Sequence, residues 1–347
     1  MKDEDYMQRC LQLATLGTGN VAPNPMVGAV LVYKGVIIGE GYHEKFGEPH
    51  AEVNCINSVI EENRKFIKSS RLFVSLEPCA HFGKTPPCSQ LIIKENIPEV
   101  IIGCRDSYKE VAGKGIIQLE QAGIRVTTSF LENECRETNK RFFTFHEMKR
   151  PYIILKWAKS LDGKIAADGD VRTLITNDFT NKLVHRWRRE GAAILVGTNT
   201  ALEDNPKLTS RLWTGKNPIR IVIDKELRLP AGLNVFNAEA PTIIFNTIKN
   251  LRKDNIEWIK ISHENLIVQM LNQLYQRNIQ SILIEGGAIT IQHFIDSGLW
   301  DESRVITNTK MLIDKGVPAP EVTNFILEKQ ETIEKDLVSY YKNNNRQ

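Results

Sequence analysis

The chain has no run of about 18 apolar residues, the length a membrane-spanning helix requires, and its N-terminus, MKDEDYMQRC, alternates charges where a signal peptide needs an apolar core. A membrane partner is therefore not expected, and a cytoplasmic protein is. Charge of one sign is missing too: the formal net charge is +3, dispersed along the chain, and aromatic residues make up only 7%. A surface that tracks phosphates needs concentrated cations and stacking rings, so nucleic acid is not an expected partner. Cysteine is absent after Cys135; all six (Cys10, Cys55, Cys79, Cys88, Cys104, Cys135) fall in the first 135 residues. In a reducing compartment they suit metal or catalytic use better than disulfides.

What is present is an ordinary globular composition, 41% hydrophobic and 25% charged, over 347 residues. A single core stops growing at about 250 to 300 residues, so two domains are expected. Residues 3–16 have helical spacing before Gly17 and Gly19, and VGAVLVY and VIIGEGY flank a Lys34-Gly35 hairpin turn. A helix is expected from His50 to about Glu62. The strand RLFVSLE, helix SQLIIKEN, strand EVIIGC, helix GIIQLEQAG and strand IRVTTS follow, an order that implies a largely parallel sheet. Residues 131–150 are polar and helix-compatible, and Pro151 ends them. A second α/β series runs through YIILKWAKS, AAILVG, PIRIVID, TIIFN and SILIEGG. The expected domains are 1–147 and 148–347. The Lys/Asn-rich tail after about residue 335 reads as frayed surface.

The sharpest chemistry lies in the first domain. His50, at a helix start, is followed 29 and 38 positions on by Cys79 and Cys88, both in LEPCAHFGKTPPC (76–88). One imidazole and two thiolates suit Zn2+, and three protein ligands leave a fourth position for water. Glu52 is near enough to move that water's proton to a leaving amine. This is the H-x-E…P-C-x-x-C logic of zinc deaminases, with the cysteines spread wider. Pro86 and Pro87 stiffen the return of the longer loop, and His81 and Lys84 project from it as candidates for substrate contact. Cys10, Cys55, Cys104 and Cys135 read as packing residues.

APNPMVGAV, GYHEKFGEPHAE and LEPCAHFGKTPPC, in this order, resemble the deaminase domain of a bifunctional riboflavin biosynthesis family. In that family a diaminohydroxyphosphoribosylaminopyrimidine deaminase is fused to a 5-amino-6-(5-phosphoribosylamino)uracil reductase. The likeness continues through LKWAKSLDGKIA, AILVGTNTALEDNPKLTSR, PIRIVID and ILIEGG, nearly the whole chain. It implies an α/β protein with a cytidine-deaminase-like three-layer α/β/α domain, then a dihydrofolate-reductase-like α/β domain using NADPH. It also implies a homo-oligomer acting on a small phosphorylated pyrimidine. The implied reaction is hydrolytic deamination of 2,5-diamino-6-ribosylamino-4(3H)-pyrimidinone 5′-phosphate. Reduction of the ribosyl group then gives 5-amino-6-ribitylamino-uracil 5′-phosphate.

The resemblance makes His50, Cys79 and Cys88 the zinc ligands and Glu52 the proton shuttle, with Asn24, His43, His81, Lys84 and Asp106 as deaminase substrate contacts. Where the family reads D-P-N-P this chain has Asp106-Ser107-Tyr108-Lys109, so only Asp106 is carried over. For the reductase half it implies cofactor contacts at Lys159, Thr200, Asp204, Gly287, Ala288, Ile289, Thr290, Ile291, Gln292 and His293. Substrate contacts fall at Lys156, Arg188, Leu208, Arg211 and Glu285. Arg172 to Asn177 replaces S-x-W-I-T-S, so the family's cleft aromatic is missing. Read without the resemblance, Gly286-Gly287 is more often a plain strand-to-helix turn, Trp187-Arg188-Arg189 is as readily a solvated helix face, Asp204 reads as a turn former and Lys156 as a strand residue facing solvent. Two alternatives stay open from the residues themselves: a deaminase of another nucleotide or nucleic-acid base with a non-catalytic C-terminal half, and a structural zinc protein.

Overall fold

The computed structural model describes residues 1–80, 86–108, 111–169 and 173–344. They form two compact units divided between Lys149 and Arg150. Among the described residues no helix is long and apolar enough to cross a membrane.

In the first unit α1 (Asp3–Leu16) leads into β1 (Gly28–Tyr33), β2 (Val36–Tyr42), α2 (Ala51–Asn57) and a single turn, α3 (Glu61–Arg64). Then come β3 (Arg71–Leu76), α4 (Cys88–Lys94), β4 (Glu99–Cys104), α5 (Lys114–Gln121), β5 (Arg125–Thr127), α6 (Glu132–Thr138) and α7 (Lys140–Met148). The strands lie in the order β2-β1-β3-β4-β5. Alternation along each strand divides its side chains between two faces. Ala29, Leu31, Leu72, Val74, Val100 and Ile102 pack with α2, α4 and α5; Val30, Val32, Phe73 and Ile101 pack with α1, α6 and α7. Cys10, Cys104 and Cys135 are core atoms of the second layer and Cys55 of the first. The sheet is less parallel than expected: β1 runs antiparallel to both β2 and β3, and only β3-β4 and β4-β5 are parallel.

Helix α2 also stops earlier than expected. The Ser58 hydroxyl donates to the Cys55 carbonyl and accepts from the Glu40 N–H, which fastens the helix end to β2, and Val59 turns into the core. Gly41 is what lets α2 lie so close: a Cβ there would sit 2.2 Å from the Cys55 nitrogen.

The second unit contains β6 (Tyr152–Lys159), β7 (Lys164–Ala167), α8 (Asp178–Glu190), β8 (Ala193–Gly197), α9 (Thr198–Asp204), β9 (Ile219–Ile223), β10 (Thr242–Asn246), β11 (Leu251–Lys253) and β12 (Ile256–Lys260). It continues with α10 (Leu266–Gln276), β13 (Ser281–Ile284), α11 (Ala288–Asp296), β14 (Glu302–Asn308), β15 (Gly316–Pro318), β16 (Phe325–Ile333) and β17 (Asp336–Asn343). The main sheet runs β11-β12-β10-β9-β8-β13-β6-β14-β17-β16. It is parallel from β12 to β14 and antiparallel at both edges. Helices α10 and α11 cover one face; α8 and α9 cover the other.

The tail expected to fray is instead an interior strand. β17 pairs with β14 on one side and β16 on the other, Val338 is fully buried, and the buried Asp336 carboxylate accepts the Asn177 N–H at 2.8 Å. Its Lys and Asn residues mask a strand pattern that the sheet then satisfies.

Candidate active sites

Three chain segments converge beyond the C-terminal end of β3. His50 is the N-cap of α2, Cys88 opens α4, and Cys79 lies in the segment between β3 and α4. Their ligand atoms all lie within 4.8 Å of one another; His50 Nδ1 is 3.6 Å from Cys79 Sγ and 3.4 Å from Cys88 Sγ. A zinc ion bound at about 2.0 Å by nitrogen and about 2.3 Å by sulfur needs ligand atoms roughly 3.5 Å apart. The donor set fits that metal in both chemistry and spacing. The Cys88 N–H also donates to Cys79 Sγ at 3.3 Å, a hydrogen bond to the sulfur from the backbone behind it.

Two thiols, a carboxyl and an imidazole are crowded here, and they shift one another. Cys79 is held well below the usual thiol range by its hydrogen bonds with Cys88 first and His50 next, against burial. Its bond to His50 pushes that imidazole up to about 9. Cys88 is pushed up by Cys79 and by burial. Glu52, in the first turn of α2 and only 3% exposed, is raised by burial against the pull of His50. A buried carboxyl that holds its proton more tightly than usual suits proton transfer.

The remaining deaminase candidates occupy different settings. Asn24 Nδ2 lies 3.1 Å from His43 Nε2, and His43 Nδ1 lies 3.1 Å from the Pro49 carbonyl. His43 is 2% exposed and both ring nitrogens meet protein atoms, so its visible work is to link the Asn24 loop to the residue before His50. Asp106 follows β4; burial raises its carboxyl to about 6, and it accepts the Tyr108 N–H at 2.7 Å. Glu77 was not singled out from sequence, yet it organises this loop. Buried after β3, it accepts from the N–H groups of Asp106, Gly113 and Gly115. Its only sequence signal is an acidic residue ending an apolar strand. His81, Lys84, Lys109 and Arg172 lie outside the described residues.

In the second unit a cleft of about 1700 Å³ opens at the C-terminal ends of β6, β8, β9 and β13, where parallel α/β sheets bind ligands. Glu285, just after β13, is its electrostatic centre. Arg188 on α8 grips it through two bonds, Nε to Oε1 at 2.7 Å and Nη2 to Oε2 at 2.8 Å; Lys156 Nζ stands 3.9 Å from Oε2. Burial opposes ionisation of Glu285, but Arg188 and Lys156 outweigh it and hold the carboxyl at about 2. Neither cation belongs to a solvated face: Lys156 is 13% and Arg188 14% exposed at the side chain.

Leu208, Arg211, Thr200, Asp204, Gly287 to Ile291 and His293 also line the cleft. Lys159 and Gln292 are not among its lining residues; Gln292 bonds instead to Asp296 and to the Glu321 backbone. Gly287 caps α11 with φ +62, and a Cβ on Gly286 would meet Val196 Cα at 2.5 Å, so the turn is built on a close backbone approach. Leu174, 74% exposed, lines the cleft and stands in the sequence where the family has its aromatic. His185 escaped the sequence reading. It lines the cleft on α8 and its Nδ1 accepts the Leu212 N–H at 3.4 Å. Burial, then Arg188 and Arg211, push it down to about 4. A histidine three residues before an arginine on a helix was the available clue.

Comparison with known proteins bears on both units. Residues 151–338 match the family described as RibD C-terminal domain, and residues 1–104 the cytidine and deoxycytidylate deaminase zinc-binding region. The chain is 39% identical to the riboflavin biosynthesis protein RibD of Aquifex aeolicus, over 98% of each chain. It is 35% identical to the protein of that name from Escherichia coli, over 90% of this chain and 89% of the other. Among solved structures, a Thermotoga maritima diaminohydroxyphosphoribosylaminopyrimidine deaminase/5-amino-6-(5-phosphoribosylamino)uracil reductase superposes with TM-score 0.89, at 36% identity over 98% of both chains. Acinetobacter baumannii RibD follows at TM-score 0.88 and 29% identity, over 98% of each.

Proposed function

This chain belongs to the RibD family of riboflavin biosynthesis proteins and carries its deaminase and reductase domains, and on that premise we propose how its own residues divide the work. The match of residues 151–338 does not favour a non-catalytic C-terminal half.

The substrate is 2,5-diamino-6-ribosylamino-4(3H)-pyrimidinone 5′-phosphate. His50, Cys79 and Cys88 hold zinc, which when bound lowers the pKa of a water toward neutrality and so supplies the nucleophile. Glu52 takes the proton released as the bond from oxygen to the ring carbon forms, and returns it to the amine as the carbon–nitrogen bond breaks. Asn24, His43 and Asp106 bind the pyrimidine or its ribose phosphate; His81 and Lys84, which the resemblance assigns to the same task, lie outside the described residues. The observation that carries this reading is the meeting of three ligand atoms within 4.8 Å next to a buried glutamate.

In the second unit NADPH would, when bound, supply the hydride that, together with a proton from water, converts ribosyl to ribityl. Glu285, kept ionised by Arg188 and Lys156, orients the sugar, and Arg211 and Leu208 complete the substrate side. Thr200, Asp204, Gly287 to Ile291 and His293 hold the cofactor; Lys159 and Gln292, which do not line the cleft, are given no contact to it. The enzyme works in the cytoplasm as a homo-oligomer, which light scattering of the purified chain reads directly. The deciding experiment supplies the diamino substrate with and without NADPH and measures ammonia and cofactor oxidation separately. Ammonia should appear without NADPH, and oxidation should follow only once deamination has occurred. NADPH oxidation that needs no prior ammonia release would reverse the order.

A further inference from the structure

The stretch 131–150 is two helices, α6 and α7, broken at Asn139. Asn139 is 3% exposed, and its amide spends both ends on one residue 113 positions away. Its Oδ1 accepts the Met26 N–H at 2.8 Å, and its Nδ2 donates to the Met26 carbonyl at 2.8 Å. This is the bond pair one strand offers another, supplied here by a side chain to a loop residue that lies outside any strand.

Met26 is two residues from Asn24, and Pro25 between them has a fixed φ, so the position of one is passed to the other with little slack. The Asn24 amide nitrogen can only donate, so His43 Nε2 accepts from it and Nδ1–H donates to the Pro49 carbonyl. The same loop is laced to the segment before His50 by Phe46 N–H to Asn20 O and His43 N–H to Val27 O. With its NH2 engaged, the Asn24 amide has one orientation. A continuous chain of bonds therefore runs from the α6–α7 break to Pro49, the residue before His50.

We infer that Asn139 is a positioning residue for deamination, acting through the Met26 backbone to set Asn24. The inference rests on the reading of Asn24 as a substrate contact. The test is a double-mutant cycle in the full-length zinc protein with Asn139→Ala, Asn24→Ala and both. It reads KM and kcat for ammonia release, with zinc content and reduction of supplied deaminated intermediate measured on every variant. Asn139→Ala should raise KM about tenfold, the scale of a lost hydrogen bond, with zinc content and reduction unchanged. The double variant should be no worse than Asn24→Ala alone, because the two act as a unit. Additive losses in zinc-loaded protein overturn the inference, as does a silent Asn139→Ala beside a damaging Asn24→Ala. A silent Asn24→Ala removes the reading beneath it and the inference with it. If Asn139→Ala loses zinc, Asn139→Asp, which keeps the acceptor for the Met26 N–H, replaces it in the same cycle with the same criteria.

Discussion

The two catalytic regions bury charge in opposite ways. At the metal corner Cys79, Cys88 and Glu52 lie together with His50; burial drives Glu52 up, and the bond to Cys79 together with burial drives Cys88 up. In the cleft, Glu285, its side chain 7% exposed, already has Arg188 and Lys156 against it, and is driven down. The first site groups ligands that a bound cation would balance; the second carries its cations in the chain. Metal, pH and mutation should therefore separate the two activities.

The largest separation concerns the metal corner. Glu52→Ala should lower ammonia release by about 10³-fold, the usual scale for a lost acid–base group, while the supplied deaminated intermediate still oxidises NADPH at the wild-type rate. A strong chelator should do the same, and acid should favour zinc loss, because protons compete for His50 and the two thiols. Loss of both activities in folded Glu52→Ala would break the comparison.

The next largest tests the pair inside the cleft. Arg188→Ala leaves a buried carboxylate with Lys156 alone, and removing one partner of such a pair costs about 3 kcal/mol or more. Urea unfolding of the full chain should show that loss. Adding Glu285→Gln should recover part of it, and Arg188→Lys should not restore the bidentate grip. If Arg188→Ala is as stable as wild type, the cleft is not charge-complete in the sense argued.

How much of this was legible in the sequence depended on distance along the chain. His50, Cys79 and Cys88 could be read because two helix starts and one strand end present them within 38 residues of each other. The bond between Arg188 and Glu285 joins residues 97 apart, and no local pattern distinguishes that arginine from its exposed neighbour Arg186. Composition misled at the tail, where Lys and Asn hid the alternation that places Val338 in the core. Periodicity misled after Asn57, because a hydroxyl at Ser58 bonded to β2 ends a helix that spacing alone would continue. His43 is recognisable as a motif residue; only the fold shows both its nitrogens engaged.

The smallest expected effect sharpens the comparison through pH. His185, 1% exposed, faces Arg188, Arg211 and Glu285, and its pKa of about 4 in the folded chain lies below the roughly 6.5 of an unfolded histidine. Between these values the unfolded state binds the proton and the folded state does not, so stability falls as pH drops from about 6.5 toward 4 and is flat above. Glu285 acts in a lower window: its stabilisation is present above about 4.3 and is lost as pH falls toward 2. His185→Asn removes the first loss and leaves the second. Unfolding free energies at pH 7 and pH 5 should therefore differ by about 1 to 2 kcal/mol more in wild type than in His185→Asn. Parallel losses in the two proteins would mean that the Arg188–Arg211 surroundings do not hold the imidazole neutral, and that the cleft tolerates a third cation beside Glu285.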